Sequence, residues 1–419
     1  MGGFSFPALG IRNYRLFASG QLVSVTGTWM QRVAQDWLVL ELTSSGTALG
    51  IVTALQFGPS LLLSPFGGVL ADRGNKRKLL IATQTAIALL ALLLGLLDLS
   101  GAVRLWQVYL VALVLGVVAA IDMPVRQSFV VEMVGPGELS NAVALNSAIF
   151  NSGRILGPAL SGFLITVAGT GWSFLANAAS TVAVLAGLLL MRTGDLFPSP
   201  PVERARGQLR EAVRYVRRRP ELMLPMLLVF VIGTFGLNFQ ITLALVAREV
   251  FHRSAQSYGF LSTMLAIGSF VGAMLATRRR TTPSTTFLLG SALAFGVFEM
   301  IAGSIPSYAG TAIALVPAGL AALTFTTAAL STVQLRTDAS MRGRVMALYM
   351  VAFMGGTPVG APVIGWIGET FGPRFGIVGG GAICVLASLL ITFHVARRRG
   401  LGAADVAHRA LDGIRHAHA

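Results

Sequence analysis

Residues 67–80 read GGVLADRGNKRKLL. The stretch starts inside one long apolar run, 48–70, and ends inside another, 79–98. Between them stand Asp72, Arg73, Lys76, Arg77 and Lys78, with Gly74-Asn75 at the turn. A helix needs about 20 predominantly apolar residues to cross the hydrocarbon core of a bilayer. The stretch therefore reads as a short basic loop joining two membrane helices.

The rest of the chain repeats that pattern. It has 419 residues, 54% hydrophobic and 12% charged, with a mean hydropathy of +0.73. Soluble domains carry about 25% charged residues, so a soluble fold is excluded. Twelve apolar segments are expected, at approximately 17–41, 48–70, 79–98, 105–124, 142–167, 172–191, 223–247, 258–277, 286–304, 309–332, 345–367 and 375–396. They read as helices, because alternating barrel strands of about ten residues are absent from the pattern.

Placing both termini in the cytoplasm puts 26 of the 32 Lys and Arg on the inner side, against four outside (Arg104, Arg248, Arg253, Arg374) and two within spans (Arg32, Arg154). That asymmetry follows the positive-inside rule. The net charge of +15 then reports topology and contact with anionic lipid, and no nucleic acid partner is expected. The first segment is too long for a cleavable signal peptide and no A-x-A-like site follows a short apolar core. Cys384 is the only cysteine, which excludes an internal disulfide and a cysteine metal cluster. The five histidines, His252, His394 and three in the tail, do not read as a metal site with a cysteine or paired carboxylates, and no GxxxxGK[ST] run is present. No metal, cofactor, enzymatic activity or direct use of ATP is expected.

The chain is expected to divide into a six-helix bundle at 1–191, a basic cytoplasmic linker at 192–221, a second bundle at 222–396 and a basic tail at 397–419. The linker breaks at Pro198, Pro200 and Pro201. From Val202 to Arg218 it can form an amphipathic helix with Leu209, Val213 and Val216 on one face. The halves repeat each other. A shift of 203 superposes 141–163 on 344–366, pairing Gly153 with Gly356, Gly157 with Gly360 and Gly162 with Gly365. A shift of 205 superposes 67–73 on 272–278. Parallel six-helix repeats mark one large transporter architecture, with the substrate site between the halves.

The opening loop resembles the motif of the major facilitator superfamily. Gly68, Asp72, Arg73, Arg77 and Lys78 take its positions, and Asn75 replaces the usual Gly. Asn tolerates the left-handed backbone, so the turn is expected to survive there. The resemblance implies an inner-side latch: Asp72 facing the N-terminal end of the eleventh span, and Arg77 paired with Asp122. The fifth-span run GRILGPALSG (153–162), with Gly153, Gly157, Pro158 and Gly162, resembles the motif of exporting members. The wider runs 122–162 and 12–43 resemble a subgroup of bacterial siderophore and drug exporters. The resemblance implies an inner-membrane, monomeric, proton-coupled exporter of amphiphilic small molecules such as drugs or siderophores. Uptake of a nutrient or organic solute by the same fold is the alternative.

One feature of the first span stands out against its apolar setting. Gln21, Ser24, Thr28, Gln31 or Arg32, and Gln35 recur at spacings of three and four, forming one polar stripe. Lipid disfavours such a stripe, so it faces protein or water. The resemblance places the first, fourth, seventh and tenth helices around the cavity. Asn238 and Gln240 in the seventh span, with Thr324, Thr326 and Thr327 in the tenth, are then candidate partners. Arg32 and Asp36 are four apart and can pair along the helix. Two readings stay open: a structural pair, or a coupling carboxylate at Asp36 whose proton affinity Arg32 sets. Arg154 is a candidate partner of Asp36 or of an anionic group, and Glu299 is a further buried charge.

Overall fold

The computed structural model describes residues 6–197, 208–277 and 282–398. These residues are helical throughout, with no strand among them. The helices are α1 (Arg12–Thr43), α2 (Gly46–Arg73), α3 (Lys76–Leu99), α4 (Leu105–Val134), α5 (Leu139–Ala168), α6 (Thr170–Leu189), α7 (Gln208–Arg217), α8 (Pro220–Phe235), α9 (Phe239–Leu245), α10 (Ala255–Thr277), α11 (Thr285–Ser304), α12 (Tyr308–Arg336), α13 (Arg342–Gly355), α14 (Thr357–Phe371) and α15 (Pro373–Arg398). Apolar composition explains the choice of helix. In hydrocarbon every backbone amide and carbonyl must be satisfied within the segment.

Among the described residues, eleven helical stretches are long and apolar enough to cross a membrane. Two of them are interrupted helices: α8 runs through α9 into a π turn at Val246–Val250, and α13 runs into α14. The expected first span, α1, is not among the eleven. At 32 residues it has the length. Its polar stripe and its charges, Arg32 and Asp36, take away the apolar character. Elsewhere the outward faces are greasy: α3 exposes Leu89, Leu92, Leu93 and Leu96 along one side. A soluble monomer rarely exposes so continuous an apolar strip, whereas lipid covers it at no cost.

The chain forms two compact units. Among the described residues, one comprises 6–197 with 252–263, and the other 208–251 with 264–277 and 282–398. In the first unit, small residues let backbones approach. A Cβ built on Gly153 would lie 3.1 Å from the Thr26 amide nitrogen, and one on Gly157 would lie 3.0 Å from the Thr26 carbonyl, so α5 seats on α1. Further along α5, Gly162 faces Ala255 and Gln256 in the first turn of α10.

The second unit repeats this construction. Gly356 and Gly360, the counterparts of Gly153 and Gly157 under the shift of 203, both seat on Thr234 of α8. Gly116 of α4 seats on the Leu55 and Gln56 carbonyls of α2. Gly319 of α12, displaced by the same 203, seats on the Leu265 carbonyl of α10. The internal repeat is therefore a repeat of helix–helix contacts, made by small residues that allow close van der Waals packing.

The linker stretch yields α7. Its first part, 198–207, and the Leu209 side chain lie outside the described residues. Ala212 and Val216 are buried while Val213 is exposed. Polar residues of α7 and the turn after it reach the loop after α12 and the start of α13. Arg219 pairs with Asp338 at 2.9 Å, Arg344 with Glu211 at 2.6 Å, and the Tyr215 hydroxyl accepts from the Asp338 amide at 3.1 Å. Tyr215 and Arg219 hydrogen bonds hold the Asp338 carboxyl below the usual carboxylate range.

Candidate functional site

The loop between α2 and α3 is built differently from the expectation. Asn75 is not left-handed: at φ −72°, ψ 105° it caps α3, its side chain accepting from the Lys78 amide. An N-cap satisfies one of the orphan donors of the first turn, which favours Asn there. Gly68 is buried in α2, Asp72 is half-buried in its last turn, and Arg73 and Lys78 are exposed.

Arg77 does not meet Asp122. Its Nε donates to the Leu188 carbonyl at 2.6 Å and Nη2 to the Leu189 carbonyl at 3.0 Å, closing the C-terminal end of α6. A cation at that end satisfies terminal carbonyls and complements the helix dipole. Asp122, almost fully buried, instead accepts from Thr83 (2.7 Å), Gln84 (2.8 Å) and both Nε (3.0 Å) and Nη2 (2.5 Å) of Arg126, one turn away on α4. The neighbouring Lys76 reaches Glu132 at 2.6 Å, tying the start of α3 to the end of α4. Sequence reasoning missed Arg126 and Glu132. The i,i+4 spacing of Asp122 and Arg126 was the available signal.

The polar stripe of α1 turns out to serve two environments. Gln31 accepts from Asn177 of α6 at 2.5 Å, and Thr28 bonds back to the Ser24 carbonyl at 2.9 Å. Gln21, Ser24 and Gln35 are buried, with Gln21 Nε2 and Gln35 Oε1 lacking partners. Part of the stripe is thus interhelical glue within the first unit, where α1 lies along α6.

Arg32 and Asp36 part company. Among the described residues no ion pair joins them. The Asp36 carboxylate, 5% exposed, accepts from the Tyr258 hydroxyl at 2.8 Å, and the Tyr258 ring stacks on Trp37. Tyr258 sits in the first turn of α10, 222 residues along the chain, so no local spacing could reveal it. Arg32 lies over the Trp29 ring at 4.7 Å and near the Phe57 ring at 5.7 Å; its Nε is sealed from solvent and has no acceptor. Arg154 on α5 is half-buried and, among the described residues, pairs with no carboxylate.

In the second unit, the interruption between α8 and α9 exposes polar chemistry. Asn238 donates to the Thr234 carbonyl at 2.7 Å, while its buried Oδ1 has no partner. Glu299 of α11 is 2% exposed with Oε2 unpartnered. A Cβ on Gly236 would lie 3.2 Å from Oε2 and one on Gly380 would lie 3.3 Å from Oε1, so the carboxyl is wedged between α8 and α15. Gln240 is half-buried. Thr324 is buried. Thr326 and Thr327 bond back to the carbonyls of their own helix at 3.0 and 2.7 Å.

A helical membrane chain made of two repeated units, with charges inside its spans, defines the transporter class. Residues 5–411 match the family of transmembrane secretion effectors, and the chain belongs to that family. It is 24% identical to the enterobactin exporter EntS of Shigella boydii over 401 residues, 92% of each chain. It is 26% identical to the staphyloferrin A transporter of Staphylococcus aureus over 263 residues, 62% of this chain and 66% of that one. Among solved structures, a bacterial homologue of the human lysosomal transporter Spinster superposes with a TM-score of 0.73 at 15% identity, covering 93% of this chain and 96% of that one. A bacterial homologue of the iron transporter ferroportin gives 0.71 at 14%, covering 90% and 97%. At those identities the likeness is one of fold. The chain is a major facilitator transporter rather than an enzyme, and a multi-pass protein of the bacterial inner membrane.

Proposed function

We propose that this chain is a proton-coupled exporter of amphiphilic small molecules, drugs or siderophores, working by alternating access. In this reading α1 spans the membrane as the twelfth segment, the protein acts as a monomer, and both termini are cytoplasmic. The linker at 192–221 and the tail at 397–419 are then cytoplasmic too. The names of the relatives, for enterobactin export and staphyloferrin A transport, support this class of cargo.

One observation carries the proposal: Asp36 is a carboxylate inside a membrane helix whose hydrogen-bond partner is a neutral hydroxyl. A buried carboxylate locked to a cation stays charged, because neutralising it strands the partner. Asp36 has no such lock, so it can take up a proton and give it back as its surroundings change. Glu299, wedged in the second unit, is the second candidate, and Arg32 and Arg154 are the charges that respond. Asp72, Arg73, Lys78 and the Asp122–Arg126 cluster organise the inner side, and the helix-five glycines let α5 slide against α1.

Everted vesicles test this directly. With a proton gradient, substrate should accumulate in the lumen; collapsing the gradient should abolish accumulation. Gradient-driven depletion of the lumen would instead indicate uptake into the cell. Transport indifferent to the gradient would overturn proton coupling.

A further inference from the structure

On two packed helices of the first unit, an arginine and an aromatic residue share a face. On α1, Trp29 and Arg32 are three residues apart and share a face. On α5, Phe150 and Arg154 are four apart and share a face. The two faces meet: the Trp29 and Phe150 rings stand edge to face, with centroids 5.8 Å apart. The Arg32 guanidinium lies 4.7 Å from the centre of the Trp29 ring and 5.7 Å from that of Phe57 on α2.

No hydrogen bond or ion pair engages the Arg32 guanidinium among the described residues, and its sealed Nε is an unused donor. The nearest carboxylate along the helix, Asp36, is spent on Tyr258. Arg154 likewise has no carboxylate partner among the described residues. An unpaired guanidinium within a membrane helix is costly, and ionisable side chains at such depth mark substrate or ion pathways. The surroundings specify what kind. Guanidinium donors suit planar oxyanions, and the Trp29–Phe150 junction offers a surface for stacking an aromatic or apolar body.

We infer that Arg32 and Arg154, together with the Trp29–Phe150 junction of their two helices, form a subsite for an anionic aromatic or amphiphilic group, so that the cargo of this transporter is an acid. The inference rests on the transporter reading above and narrows its substrate class. It also accounts for the separation of Arg32 from Asp36: a proton taken up by Asp36 removes the competing negative charge one turn from the guanidinium. Proton site and anion site are thus adjacent on one helix without sharing a hydrogen bond.

The test uses the full-length protein in nanodiscs and three probes of one shape: 2-naphthoate, its neutral methyl ester and the cationic 2-naphthyl-trimethylammonium. Binding is read by calorimetry and by quenching of tryptophan fluorescence. Naphthoate should bind at least about tenfold tighter than the ester, as expected for a charge-assisted bidentate contact. Arg32→Gln and Arg154→Gln should each erase that preference while leaving ester affinity unchanged. Arg32→Lys should retain part of it. Equal binding of acid and ester to the unmodified protein, preference for the cation, or no binding of naphthoate would overturn the subsite, and none of these outcomes requires a variant to fold. Proton-driven flux measured separately keeps the two readings distinct. Gradient-driven transport of the cation alone would sink the anion subsite and leave the exporter standing. Selective naphthoate binding without gradient-driven flux would do the reverse.

Discussion

Asp36 and Tyr258 are joined by a 2.8 Å hydrogen bond although 222 residues separate them, while Arg32, one turn from Asp36, is turned onto Trp29. The pair that local spacing suggests is not the pair that forms. Two functional consequences follow. Asp36→Asn is expected to insert normally and lose proton-driven efflux, and adding Arg32→Gln should not restore it. Recovery in the double variant, measured as gradient-driven accumulation in everted vesicles, would mean that the two charges act as a structural pair. Tyr258→Phe should insert and reduce efflux about tenfold, the worth of one hydrogen bond to a charged group.

Arg77 and Asp122 serve separate structures, one capping α6 and the other holding Arg126, Thr83 and Gln84. Their effects on stability should therefore add. In a thermal or denaturant double-mutant cycle, the coupling of Arg77→Ala with Asp122→Ala should fall within about 0.5 kcal/mol of zero. Asp122→Ala with Arg126→Ala should show coupling of about 1 kcal/mol or more, because losing one member strands the other. A large Arg77–Asp122 coupling would mean that the two residues do pair.

Gly360 lies against the Thr234 backbone, with no room for a Cβ, whereas Gly290 of α11 has nothing within 4 Å of one. Gly360→Ala should lower stability by about 1–3 kcal/mol, the usual cost of overpacking. Gly290→Ala should be neutral or slightly stabilising, since Ala is the better helix former. Melting temperatures in detergent, followed by intrinsic fluorescence, give the comparison. Equal melting of the two variants would refute the contact.

The docking of α7 has a defined pH dependence. Tyr215 and Arg219 hydrogen bonds depress the carboxyl of Asp338 relative to an unfolded value of about 3.9. A depressed acid contributes stability that is full above the unfolded value and lost as pH falls through the folded one. Amide protection across Gln208–Arg217, corrected for intrinsic exchange, should hold from pH 7 to about pH 4 and decline only below it. Asp338→Asn should weaken protection already at pH 7. Loss of protection above pH 5 in the unmodified chain would assign the docking to other groups.

Much of this molecule is legible along the chain. Spans of about 20 apolar residues leave helix as the available backbone solution, and the 203-residue repeat of Gly153, Gly157 and Gly162 is visible because close helix contacts admit only small residues. The buried polar residues at 21, 24, 31, 35, 36 and 299 stand out for the same reason: an apolar background makes any polar side chain conspicuous. Misreadings arose where the family pattern or helical spacing was asked to name a partner. Asn75 occupies a turn position yet acts as a cap, and the residue that Arg77 would have sought is already satisfied by its own helix neighbour.

The sequence by itself determined the helical membrane class, the two-unit repeat and the identity of the charges buried in it, because these depend on length, hydropathy and side-chain size at fixed spacing. The tertiary structure alone decided which of those charges meet. A hydrogen bond such as Asp36–Tyr258 or Gln31–Asn177 depends on the rotation and height of two helices brought together by packing elsewhere. A guanidinium such as Arg32 is left unpaired for the same reason: its nearest carboxylate found a better-placed donor on another helix, and geometry outweighed proximity along the chain.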